Sequence, residues 1–172
     1  MAFSLPSDLP TNWADNVGMI ENAAFLNSLG TLNNANKAAL IAMVNGVATA
    51  TVATSETTTS TSYTDLTTTT DSVTVTIGST GLALVLLQAN GTSTASNYSY
   101  ISFTISGATT RAADDSTALV YSVWSSGIQT QAGAPFLITG LTAGSTTFKM
   151  KYRVAGGTGT FLNRRISVIP FP

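Results

Sequence analysis

Between Thr146 and Val154 the chain alternates with a strict period of two. Phe148, Met150, Tyr152 and Val154 fall on one side, and Lys149, Lys151 and Arg153 on the other. Successive side chains of a β-strand point to opposite faces, so this pattern demands a strand with one buried face. The same period recurs through 63–171. Strands are expected at Ser72–Ile77 (Val73, Val75 and Ile77 inward), Leu82–Gln88, Tyr98–Ser106 (Ile101, Phe103 and Ile105 inward), Ala118–Trp124, Pro135–Thr139, Thr146–Val154 and Arg165–Ile169. Turns are expected at Gly78-Ser79-Thr80-Gly81, Asn90-Gly91, Gly140–Gly144 and Gly156-Gly157-Thr158-Gly159. Seven or eight short strands at this spacing predict a mainly β domain over 63–172, an antiparallel β-sandwich of jelly-roll or immunoglobulin-like topology.

The first third of the chain follows other rules. In residues 1–20 Pro6 and Pro10 favour an extended arm. Phe3, Leu5, Leu9 and Trp13 give that arm apolar side chains that need another surface to lie on, and they are the expected attachment residues. Residues 21–47 are the one helical candidate, opened by Glu21 near the positive end of the dipole and closed at Asn45-Gly46. Leu26, Leu29, Asn33, Asn36, Leu40 and Met43 recur at heptad spacing, a seam whose two central asparagines would set register and oligomer state. The same helix can instead lie on the sandwich through Phe25, Leu29, Leu32 and Ala39. Residues 48–62, rich in Thr, Ser and Ala, have little to bury and are expected to be a linker.

Composition narrows the function. Charged residues are 9% of the chain, against roughly 25% in ordinary soluble proteins. A hydroxyl-rich surface with so little mutual repulsion suits a protein whose surface lies against neighbours. The charges that exist are segregated: residues 1–72 carry six acids against Lys37, and residues 73–172 carry six bases against Asp114 and Asp115. With no Cys and no His, thiol and imidazole catalysis and the usual zinc sites are excluded. The segment Asp114-Asp115, following Arg111, is read as a turn with a local ion pair, without the ligand spacing of a calcium loop. No phosphate-binding loop occurs, and no carboxylate pair suggests hydrolysis. The expectation is a protein without catalysis or cofactor. A sequence pI near 5.0 argues against nucleic-acid binding, and the longest apolar run, Leu82–Leu87, is too short to span a membrane. The opening residues lack the pattern of a secretory signal, which fits synthesis in the cytoplasm.

The stretches Leu141–Arg153 and Gly156–Pro170, and Tyr63-Thr64-Asp65-Leu66 with Val73–Gly78, resemble the C-terminal β-domains of bacteriophage virion proteins. Leu9-Pro10-Thr11-Asn12-Trp13-Ala14-Asp15 with Ala24-Phe25-Leu26-Asn27 is similar to the openings of phage minor tail, fibre and capsid-surface proteins. The resemblance implies a location in the virion, trimerisation and no catalysis. Two roles follow from it. One is a homotrimeric capsid decoration protein that binds the major capsid protein and stabilises its lattice. The other is a minor tail or fibre protein, partnered by tail proteins, whose sandwich binds a host glycan. Tyr98, Tyr100, Tyr121 and Trp124 are the aromatics that could line such a site, but their places within expected strands favour core or subunit packing instead.

Overall fold

The computed structural model describes residues 23–94, 97–122 and 129–172. They form two compact units, the first ending at Asn45 and the second running from Gly46 to Pro172. In the first, helix α1 spans Ala23–Asn45. The second is built of nine strands: β1 (Ala48–Val52), β2 (Glu56–Thr58), β3 (Ser72–Ile77), β4 (Ala83–Ser93), β5 (Tyr98–Gly107), β6 (Leu119–Ser122), β7 (Thr130–Ile138), β8 (Gly144–Val154) and β9 (Gly159–Pro170).

The strands form two antiparallel sheets. One has the order β1-β9-β4-β7, with β2 also pairing β9, and the other has the order β3-β8-β5-β6. Early strands pair with late ones: β1 with β9, β3 with β8, β4 with β7 and β5 with β6. A long antiparallel ribbon folded back on itself and rolled gives this nesting, and the topology is therefore the jelly roll rather than the immunoglobulin type. Its core lies between the sheets. Val73, Val75, Ile77, Ile101, Phe103, Ile105, Phe148, Met150, Tyr152 and Val154 are all buried, as the alternation required. They meet Ala83, Val85, Leu87, Phe161, Ile166 and Val168 of the opposite sheet, and the Tyr152 and Phe161 rings pack with centroids 5.0 Å apart.

Three expectations need correction. Residues 48–62 are not a loose linker, because β1 and β2 both pair with β9. Ala48, Ala50 and Val52 turn toward the core while Thr49 and Thr51 turn out, so small inward side chains conceal a strand within a low-complexity sequence. The domain thus begins before Tyr63, and the helix ends at Asn45, short of the expected 47. Second, Asn90-Gly91 is not a turn, since β4 runs through it to Ser93. Gly91 serves a close approach: a Cβ there would lie 2.9 Å from the Tyr121 ring, whose hydroxyl donates to the Ala89 carbonyl at 2.5 Å. Third, β7 begins five residues before Pro135 and β9 six before Arg165. β7 opens with small and polar residues, Thr130 to Ala134, where alternation carries no signal.

Candidate interaction surfaces

In β9 the phase of alternation slips. Gln88 pairs with Arg165 while Asn90 pairs with Leu162, so Asn163 and Arg164 together oppose Ala89 in a β-bulge. Asn163 takes the left-handed conformation (φ 49°), which Asn tolerates better than most residues. The bulge turns Arg164 inward, where its side chain is fully buried. Its Nη1 donates to Glu56 Oε2 at 2.6 Å, and its Nε lies 3.7 Å from Asp71 Oδ2. Glu56 Oε1 accepts from the Thr68 backbone N and Oγ1 at 2.8 and 2.7 Å. The Tyr152 hydroxyl donates to Asp71 Oδ2 at 2.5 Å. Burial raises the Asp71 pKa, and neither the Tyr152 hydrogen bond nor Arg164 compensates fully. Burial opposes ionisation of Glu56 as well, yet its bonds from Thr68 and Arg164 outweigh that and lower its pKa. The Tyr152 phenol is pushed up by burial and by Asp71, and keeps its proton. This cluster fastens β2 and the segment before β3 to the sandwich.

The outer face of the sheet β3-β8-β5-β6 carries the expected bases, but each is engaged. Lys149 and Lys151 reach Asp65 Oδ1 at 3.1 and 2.8 Å, and Asp65 stays ionised against its partial burial through those two bonds. Arg153 grips Asp115 with Nε at 3.0 Å and Nη2 at 2.5 Å, and its guanidinium lies 3.6 Å from the Tyr100 ring centroid. Asp115 also accepts from the Tyr63 hydroxyl at 2.8 Å. The expected Asp114-Asp115 turn is present, and the Asp114 pKa is lowered first by its bond from Ser116 and also by the nearby Arg111 charge; the main ion pair, however, is made by Asp115 with another base. Asp115 pairs with Arg153 across the sheet face, and Asp114 accepts from Ser116 N at 2.8 Å at the start of a short 3-10 turn. Of the aromatic set, Tyr98 is exposed, Tyr100 is covered by Arg153, Tyr121 is buried, and Trp124 lies outside the described residues. Among the described residues no cluster of three potential metal ligands occurs, and no helix is long and apolar enough to cross a membrane.

The opposite outer face, on β1-β9-β4-β7, is different in kind. Register lays it out in rows: Leu137, Leu84 and Ile169; then Pro135, Leu86, Ser167 and Thr49; then Gly133, Gln88, Arg165 and Thr51. Leu137 is 61% exposed. A shallow groove of about 520 Å³ runs over Leu86, Gln131, Gly133, Pro135 and Arg165. Its signal in the sequence was Leu82–Leu87, a run apolar on both faces of one strand.

On α1, the six proposed seam residues project within an arc of ~100° at 3.6 residues per turn. Leu29 and Leu40 are exposed, as are Asn33 and Asn36, while Leu26 and Met43 are half-buried. Phe25, Leu32 and Val44 widen the same exposed stripe. The proposed attachment residues Phe3, Leu5, Leu9 and Trp13 lie outside the described residues.

No protein-family model and no curated protein matches the sequence. The fold does match solved structures. A mutant VP2 protein of infectious bursal disease virus, in derived T=1 particles, superposes with TM-score 0.52 and 14% identity, over 73% of this chain and 31% of that one. A VP2 subviral particle of the same virus gives 0.48 and 18%, over 73% and 33%. Eiger TNF from S. frugiperda gives 0.46 and 12%, over 74% and 94%. The chain spans about a third of the VP2 length, and at such identity the likeness to VP2 is one of fold.

Proposed function

We propose that this protein is a non-catalytic structural component of a bacteriophage particle, a homotrimeric decoration protein that binds the major capsid lattice and stabilises it. The observation that carries the reading is where apolar and charged groups lie. The cations of the β3-β8-β5-β6 face are neutralised within the chain, whereas leucines stand exposed on α1 and on the β1-β9-β4-β7 face. That is a surface for contact with other proteins. The jelly-roll fold common to VP2 of the T=1 particles agrees with a place in a virion. In this reading residues 1–20 attach the protein to the particle, the α1 seam joins three copies, and the sandwiches tie neighbouring capsid subunits together. Binding the assembled lattice alone stabilises it by mass action.

Particles with and without the protein test this. Without it, heat inactivation should quicken while adsorption to host cells stays unchanged. The tail or fibre reading expects slower adsorption and an equally stable shell, and that result would replace decoration.

A further inference from the structure

We propose that the outer face of the sheet β1-β9-β4-β7 is the surface with which the sandwich grips the capsid, and that its occupant is an extended, acidic and apolar segment of the shell protein. This rests on the decoration reading above and adds to it the surface and the chemistry of the partner.

Charge is the first argument. Every acid among the described residues is already engaged: Glu56 and Asp71 with Arg164, Asp65 with two lysines, Asp115 with Arg153, and Asp114 with its own turn. Arg165 stands exposed on this face with no carboxylate among those residues to meet it. Its neighbour across the register is Gln88, an amide that hydrogen-bonds but cannot neutralise. The complementary carboxylate therefore comes from a partner.

Spacing is the second. Leu84 lies four residues before Gln88 on β4, so the apolar row and the Arg165 row are ~13 Å apart at the rise of a strand. An extended segment running along the strands meets successive rows with every second side chain. Apolar residues about four positions from an acid would satisfy both ends. The groove, lined by Gly133 beside Leu86 and Pro135, leaves room for the backbone of such a segment over the side-chain-free Gly133. Pro135 also sits on edge strand β7, where it blunts strand addition at the rim, so the segment lies across the face rather than extending the sheet.

The test uses the absence of cysteine from the chain. Full-length Gln131→Cys has a single thiol in the groove, and Thr76→Cys carries one on the outer face of the other sheet as a control. Each is labelled with a maleimide, free in solution and after binding to particles that lack the protein. Cosedimentation of the wild type, Arg165→Glu and Thr76→Glu with those particles measures binding. Expected are fast labelling of free Gln131→Cys, at least about tenfold protection on the particle, and no protection of Thr76→Cys. Arg165→Glu should bind about tenfold more weakly, and Thr76→Glu like wild type. If wild type fails to bind, the decoration reading itself falls. If wild type binds but Arg165→Glu binds equally, or Gln131→Cys stays reactive on the particle, the assignment of this face is overturned. Protection of Gln131→Cys already in the free protein would mean the face is covered by the protein's own residues, and that too overturns the proposal.

Discussion

Asn163 decides where the buried guanidinium forms. Arg164 and Arg165 are adjacent, and in a regular strand adjacent side chains must take opposite faces. One of the pair had to turn inward once the strand ran through both, but the expected strand began at Arg165 and left Arg164 outside it. Which one turned was not legible, because a bulge resets the phase without altering composition. At φ 49°, Asn163→Val should strain the bulge and cost about 1–3 kcal/mol in urea unfolding, while Asn163→Gly should be tolerated. Removing the carboxylate hydrogen-bonded to Arg164 leaves that buried charge with only the more distant Asp71, and Glu56→Gln should cost about 3 kcal/mol. The two acids of the cluster respond to pH in opposite senses. Glu56 has a lowered pKa, so its contribution is present above the ordinary Glu value and is lost as pH falls through the lowered one. Asp71 has a raised pKa, so its contribution is present below the ordinary Asp value of 3.8 and is lost as pH rises through the raised one. The two contributions to unfolding free energy therefore run in opposite directions with pH. Asp71→Asn should remove the loss that sets in as pH rises above 3.8, and Glu56→Gln should lessen the loss as pH falls, which Asp65, Asp114 and Asp115 share. Unchanged profiles in both variants would show that the cluster does not govern the pH response.

Among elements, β8 was the most legible and β1 the least. The reason is the size of the inward side chains. Phe148, Met150 and Tyr152 against lysines announce a face, whereas Ala48 and Ala50 against threonines do not, and β1 is held by its ladder with β9. Helix α1 was legible as a helix, but its partner was not, because the seam residues and the alternative set Phe25, Leu29, Leu32 and Ala39 share one arc of the helix surface. The exposure of Leu29 and Leu40 makes their replacement the decisive test of the trimer. Leu29→Glu with Leu40→Glu places like charges in the shared stripe, and the mass by sedimentation equilibrium should fall from three times to one times the 17.7 kDa chain. Helix and sandwich are separate compact units, so the thermal transition of the β-domain should stay within a few degrees of wild type. A trimeric double variant would place the subunit contact elsewhere.

For the whole molecule, the seven strands β3 to β9 followed from periodicity, while β1, β2 and the pairing did not. Thr- and Val-rich strands offer few distinctive cross-strand partners, and a jelly roll joins residues as distant as Ala48 and Val168. Pairing at that separation depends on closing the entire roll, which a local pattern cannot encode. The candidate surfaces were legible in the same uneven way: the bases of β8 were visible at once, yet their neutralisation by Asp65 and Asp115 depends on loops brought over the sheet by the fold. That neutralisation carries the last prediction. With only 9% charged residues, and Lys149, Lys151, Arg153 and Arg164 all paired internally, binding to the particle must draw chiefly on apolar contact. Added sodium chloride screens exposed charges within about 10 Å at 0.1 M and leaves buried apolar contact largely untouched. Sulfate, excluded from protein surfaces, strengthens apolar burial. Raising sodium chloride from roughly 0.05 to 0.5 M should therefore weaken cosedimentation less than about threefold, the share of the Arg165 ion pair. Sodium sulfate at equal ionic strength should tighten it. A loss above about tenfold in chloride would mean that charge, and not the leucine-bearing faces, holds the protein to its lattice.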